Sequence, residues 1–131
     1  MKDFPELELI VIGKLRDGPT SKELNKRGIK NKVKFVSDLT SNQIAKLYAE
    51  STIAVSPSVY EGFGFPAGEA MSCGIPLVST NGGSLPEVVG DAGIIVNHSD
   101  PASLYQGIKQ LLDNDEKRLV YGKMGRKRVL D

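Results

Sequence analysis

What most restricts the fold of this chain is a series of short apolar runs set at intervals along it. They are residues 7–13 (LELIVIG), 33–36 within KVKFV, 53–55, the PLVST that Ile75-Pro76 leads into, and 93–96 (GIIV). The first of them, residues 7–13, is close to continuously apolar, the pattern of a parallel sheet covered on both faces. The segments between them read as helices. Residues 21–27 form a short polar helix stopped at Gly28. Asp38 or Thr40 caps the next helix, with Leu39, Ile44, Leu47 and Tyr48 on its apolar face. A small-residue helix begins near Pro66, and a short one at residues 85–89 is closed by Gly90. Asp100-Pro101 gives a cap followed by Pro at the first position, with Leu104, Ile108, Leu111 and Leu112 facing inward. A last helix covers residues 116–130. Strand alternating with helix implies the α/β class: a Rossmann-like open parallel sheet with helices on both faces and right-handed crossovers. Such sheets take ligands beyond the carboxyl ends of their strands. Loops of that kind occur at Gly13-Lys14, at the turn beginning with Glu61, and at Asn81-Gly82-Gly83, and they are expected to converge on one edge.

Composition narrows the function classes. The 131 residues suit one domain with a core and not two. With 40% apolar and 25% charged residues and a net charge of +1, the chain is neither disordered nor strongly basic, so no nucleic-acid partner is expected. No apolar run approaches the ~20 residues of a transmembrane segment. Asp3, Glu6 and Glu8 interrupt the start, so no signal peptide is expected and a cytoplasmic location is. The single Cys73 excludes an internal disulfide, gives no metal pattern and reads as a small buried filler. Arg118, Lys123, Arg126, Lys127 and Arg128 read as a solvated face that complements the dipole of the last helix, with partner or peripheral membrane contact as the alternative.

Residues 56–74, SPSVYEGFGFPAGEAMSCG, carry the candidate site. A strand end, a Gly-rich turn and a fresh helix N-terminus make an anion site, because the first N–H groups of a helix lack intrahelical partners. Gly62 and Gly64 permit close approach of a bulky anion. The N–H groups of Phe63, Gly64 and Phe65 then face diphosphate oxygens or a sugar hydroxyl. Pro66 suits the first helical position, and Glu69 lies one turn in, where a carboxylate can accept from two vicinal hydroxyls such as those of a ribose. Glu61 is placed to accept from sugar hydroxyls or to steady positive charge at an anomeric carbon. The alternative is a plain tight connection, with Glu69 serving only the helix dipole. The glycine spacing matches neither the dinucleotide fingerprint nor the phosphate loop ending in Gly-Lys-Ser/Thr. Lys14 is a phosphate contact or a solvated lysine. Tyr60 packs on a base or belongs to the core edge. His98 reads as a surface residue and Asp91 as part of a turn.

At these residues the chain resembles the C-terminal, donor-binding half of the retaining glycosyltransferases with two Rossmann-like domains (the GT-B fold). It is similar to the branch numbered four, also called glycosyl transferases group 1, which includes glycogen and sucrose synthases and bacterial mannosyltransferases. The resemblance rests on Glu61 and Glu69 with seven residues between them, on Pro57-Ser58, Tyr60 to Pro66, Glu69-Ala70-Met71 and Gly74-Ile75-Pro76, and on the run GGSLPEVVGDAG at 82–93. Val11-Ile12-Gly13 and residues 33–36 fall in step. It implies that Glu69 binds the donor ribose and that Phe63, Gly64 and Phe65 supply backbone donors. It also implies that Glu61 contacts the transferred sugar as the catalytic carboxylate, and that the loop holding Ser37 lies along the base. It implies, too, a UDP- or GDP-sugar donor and transfer that keeps the anomeric configuration, and it implies no cofactor or bound metal, in keeping with the absence of an Asp-x-Asp pair.

Two departures qualify the resemblance. The family's donor domain opens with one more strand and helix before Leu7, and its diphosphate-gripping Arg and Lys lie in and near that region; Lys14 does not obviously replace either. The family also has an acceptor domain, and a C-terminal segment crosses back to it. The expectation is therefore one partial donor-binding domain over residues 1–131, incomplete at both ends and needing an acceptor domain or subunit. The alternatives are a non-catalytic nucleotide-sugar binding module, an inactive truncated remnant, or an epimerase of the same architecture, which would want further acid/base groups.

Overall fold

The computed structural model describes residues 6–12, 19–28, 30–57 and 65–130, and these divide into two compact units, residues 1–40 and 41–131. In the first unit, β1 (Leu9–Ile12) leads to α1 (Pro19–Arg27), a 3-10 turn (Lys30–Lys32) and β2 (Val33–Val36). The strands pair in parallel, Leu9 opposite Val33 and Ile12 opposite Val36. The α1 helix starts earlier than expected, at Pro19, because the first turn tolerates a residue without an N–H. It stops at Gly28, whose φ of 66° only glycine adopts freely, with the Gly28 N–H donating to the Asn25 carbonyl.

The expectation that β1 is covered on both faces is not met. Leu9, Ile10 and Ile12 are 44, 40 and 46% exposed. Among the described residues of this unit, α1 is the one α-helix available to cover the pair. Asp38 adopts φ 57° in the loop after β2, and Thr40 is the residue directly before the next helix, so Leu39 precedes that helix instead of lying on its face.

The second unit runs α2 (Ser41–Glu50), β3 (Ala54–Ser56), α3 (Phe65–Ser72), β4 (Leu77–Thr80), α4 (Leu85–Val89), β5 (Ile94–Val96), α5 (Pro101–Leu112) and α6 (Asp115–Leu130). Its three strands are parallel in the order β3-β4-β5, with Ala54 opposite Leu77 and Val78 opposite Ile94. Central β4 is buried at all four residues, as a strand covered on both faces requires. Around it Met71, Leu77, Val78, Leu85, Val89 and Leu111 are inaccessible, each burial contributing about 1.5–3 kcal/mol. Ile44, Leu47 and Tyr48 are half-buried, and Tyr48 packs against this core. The α5 helix begins as its sequence foretells: Asp100 accepts from the Ser103 N–H at 3.1 Å and the Ser103 hydroxyl at 2.9 Å.

The basic end of the chain does more than face solvent. Arg118 of α6 donates to the carbonyls of Leu111 (2.8 Å) and Leu112 (2.9 Å) at the end of α5. Arg126 donates to the Ser72 carbonyl at the end of α3 (2.8 Å). Arg128 donates to the carbonyls of Val88 (2.8 Å) and Glu87 (2.7 Å) at the end of α4. The last carbonyls of a helix lack intrahelical donors and carry partial negative charge, so each guanidinium serves as a cap in trans. Lys123 and Lys127 are exposed. Cys73 is half-buried, not fully buried as expected, with its thiol 3.9 Å from the Ala45 carbonyl oxygen.

Candidate functional site

In the three-stranded sheet the carboxyl edge is formed by Ser56, Thr80 and Val96 and the residues that follow them. Parallel strands force each crossover helix to start at that edge and return to the other. The amino end of α3 therefore lies at the carboxyl edge, and its far end at Ser72 lies opposite, before β4. Ala67, Ala70 and Met71 form the inner face of α3, all at 1% exposure or less. Glu69 lies off that face and is exposed, one turn from the helix start at Phe65. A small-residue inner face lets a short helix sit close on the sheet.

The neighbouring loops are fixed by side-chain to backbone bonds. The Asn81 side-chain oxygen accepts from the His98 N–H at 2.9 Å, which ties the loop after β4 to the loop after β5. The Gly82 N–H donates to the Thr80 hydroxyl at 3.4 Å, and the Leu85 N–H donates to the Gly82 carbonyl at 3.0 Å. Beneath them the buried hydroxyls of Ser56, Ser79 and Thr80 line the strand ends, and the Ser79 hydroxyl donates to the Thr80 carbonyl at 2.9 Å. On the other side of α3, burial pushes the Tyr48 phenol pKa up, and the negative charges of Glu69 and Cys73 push it further.

The sequence candidates fall into three groups. The start of α3 at Phe65 is placed at the carboxyl edge of the second unit, and Glu69, the fifth of the eight residues of α3, lies midway along the helix. Ser37 is half-buried directly after β2 in the first unit. Lys14, Tyr60, Glu61, Gly62, Phe63 and Gly64 lie outside the described residues. The Asn81–His98 tie and the buried strand-end hydroxyls were not foreseen. The signal for the tie was an Asn directly before Gly82-Gly83, a residue type that bonds to backbone in turns. Among the described residues no cluster of three His, Cys, Asp or Glu side chains is placed to hold a metal ion, and no helix is long and apolar enough to cross a membrane.

The model of the family glycosyl transferases group 1 matches residues 1–128. The chain belongs to this family. Among its relatives is the MMP alpha-(1->4)-mannosyltransferase of Mycolicibacterium hassiacum, 38% identical over 96% of this chain and 32% of the relative. The chain thus spans about a third of that relative's length. Two solved structures share the fold. The C-terminal domain of a glycosyl transferase group 1 family protein from Francisella tularensis superposes with a TM-score of 0.83 at 28% identity, over 98% of this chain and 71% of that one. Sucrose-phosphate synthase from Thermosynechococcus elongatus gives 0.85 at 26% identity, over 94% of this chain and 33% of that one. The parallel α/β architecture is shared with both structures, one of which is a C-terminal domain.

Proposed function

We propose that this chain is the donor-binding part of a retaining glycosyltransferase. In this reading it transfers a hexose from a UDP- or GDP-sugar to an acceptor held by a further domain or subunit. The observation that carries the reading is α3: it starts at the carboxyl edge of a parallel sheet, and Glu69 stands exposed one turn in. Family membership and the likeness to an alpha-(1->4)-mannosyltransferase support the same reading.

The roles follow from chemistry. Glu69 accepts from the ribose hydroxyls, and the N–H groups of Phe63, Gly64 and Phe65 donate to the sugar and diphosphate. Lys14 adds positive charge for the diphosphate, and Ser37 belongs to the loop along the base. The anomeric C–O bond to the diphosphate breaks as the acceptor oxygen bonds to the same face, and the acceptor proton passes to the departing phosphate oxygen. Positive charge on the sugar is steadied by Glu61, and negative charge on the leaving group by backbone donors, so catalysis is mostly electrostatic.

Titration calorimetry with UDP, GDP and their hexose conjugates tests this reading. Saturable binding of one nucleotide and its sugar conjugate is expected. A folded chain that binds none of them contradicts the donor-site assignment.

A further inference from the structure

The contact between α3 and α6 joins the proposed donor site to the far end of the chain. Three successive features of α6 meet the closing turn of α3. Gly122 lies so close to the Gly74 carbonyl that a Cβ there would run into its oxygen. Gly125 lies over Met71, where an added Cβ would meet Met71 Cβ and Cγ at 3.4 Å. Arg126 donates to the Ser72 carbonyl at 2.8 Å.

The α3 end is itself fastened to Glu69. The Glu69 carbonyl accepts from the Ser72 hydroxyl at 2.8 Å and the Cys73 N–H at 3.2 Å, and the Gly74 N–H donates to the Met71 carbonyl at 3.0 Å. Met71 is fully buried. A helix of eight residues held at its far end behaves as a short rigid lever. Any shift at Ser72 reaches Glu69 within one turn. A guanidinium at the carboxyl end also meets the negative pole of α3, which a neutral residue would leave uncompensated.

We propose that Arg126 is a positioning residue for the donor site: through the Ser72 carbonyl, and with Gly122 and Gly125 allowing α6 to approach, it sets where α3 presents Glu69 to the nucleoside diphosphate. The inference rests on the donor-site reading.

The test compares Arg126→Ala, Arg126→Gln and Arg118→Ala by titration calorimetry with UDP and GDP, at a temperature where circular dichroism shows each variant folded. Arg118 caps α5 and provides the control for loss of a like bond made by the same helix. Arg126→Ala is expected to weaken binding of the preferred nucleotide about 3- to 10-fold with unchanged stoichiometry, and Arg118→Ala to leave it within twofold. Arg126→Gln, which loses the charge but keeps an N–H donor, is expected to weaken binding at least twofold, and it decides the matter should the alanine variant not fold. Wild-type affinity in a folded Arg126 variant overturns this inference alone. Absence of nucleotide binding by the wild-type chain overturns the donor-site reading and this inference with it.

Discussion

Gly122→Ala is expected to destabilise the chain although alanine is the better helix former. In a free helix the change gains about 0.5–1 kcal/mol. Here the new Cβ is directed at the Gly74 carbonyl oxygen. That oxygen is backbone and cannot rotate aside, and Gly74 is held at φ 77° by the turn that closes α3. The α6 helix must therefore move away. Overpacking of this kind costs about 1–3 kcal/mol. Stretching the Arg126 bond to Ser72 removes about 1 kcal/mol more. The net expectation is a loss of about 1–3 kcal/mol. Gly68→Ala in α3 is the internal comparison, because nothing lies within 4 Å of its added Cβ. It should gain about 0.5–1 kcal/mol. Urea unfolding followed by far-ultraviolet circular dichroism measures both. A Gly122→Ala chain as stable as wild type would refute the close α3–α6 approach.

Two further outcomes follow from titrating groups. Hydrogen bonds from the Ser103 N–H, and next from its hydroxyl, hold the Asp100 carboxyl below its ordinary value of 3.8. Its stabilising effect is therefore complete above that value and fades as pH falls through the lower folded value. The stability penalty of Asp100→Ala should be full near neutrality and shrink in acid, and a pH-independent penalty in urea unfolding would contradict the cap. Burial first, then the charges of Glu69 and Cys73, raise the Tyr48 phenol above 10.0. In the difference between wild-type and Tyr48→Phe phenolate absorbance, Glu69→Gln should lower the Tyr48 midpoint without returning it to the ordinary value. Because the folded value is raised, Tyr48 supports folding below about 10 and that support is lost as pH rises through the folded value. A midpoint indifferent to Glu69→Gln would place Glu69 away from α2.

The strand and helix order was legible because each apolar run and each cap carries its own local physics. Asp100-Pro101, Gly28 and Gly90 punctuate the chain where the sequence says, and PLVST holds strand β4. Exposure of β1 was not legible, since a run such as LIVI has the same sequence whether or not layers cover it. The arginines of α6 were read from their own helix alone. Their true partners are carbonyls 40 and more residues away for Arg128 and Arg126, and backbone acceptors leave no trace in side-chain patterns. Gly122 and Gly125 within a helix that continues past them were the available signal, since glycine in a helix interior is costly unless something packs there. Glu69 was singled out from its spacing relative to the turn, and the structure shows it exposed on α3.

The central proposal is that the exposed Glu69 of α3 grips the donor ribose. The most direct measurement is calorimetric binding of the preferred nucleoside diphosphate and its 2′-deoxy counterpart to wild type and Glu69→Ala. A hydrogen bond to a carboxylate contributes about 1.5–3 kcal/mol, so wild type should prefer the ribose form by roughly tenfold or more. In Glu69→Ala the two forms should bind equally weakly. Ribose discrimination that survives the substitution would contradict the account.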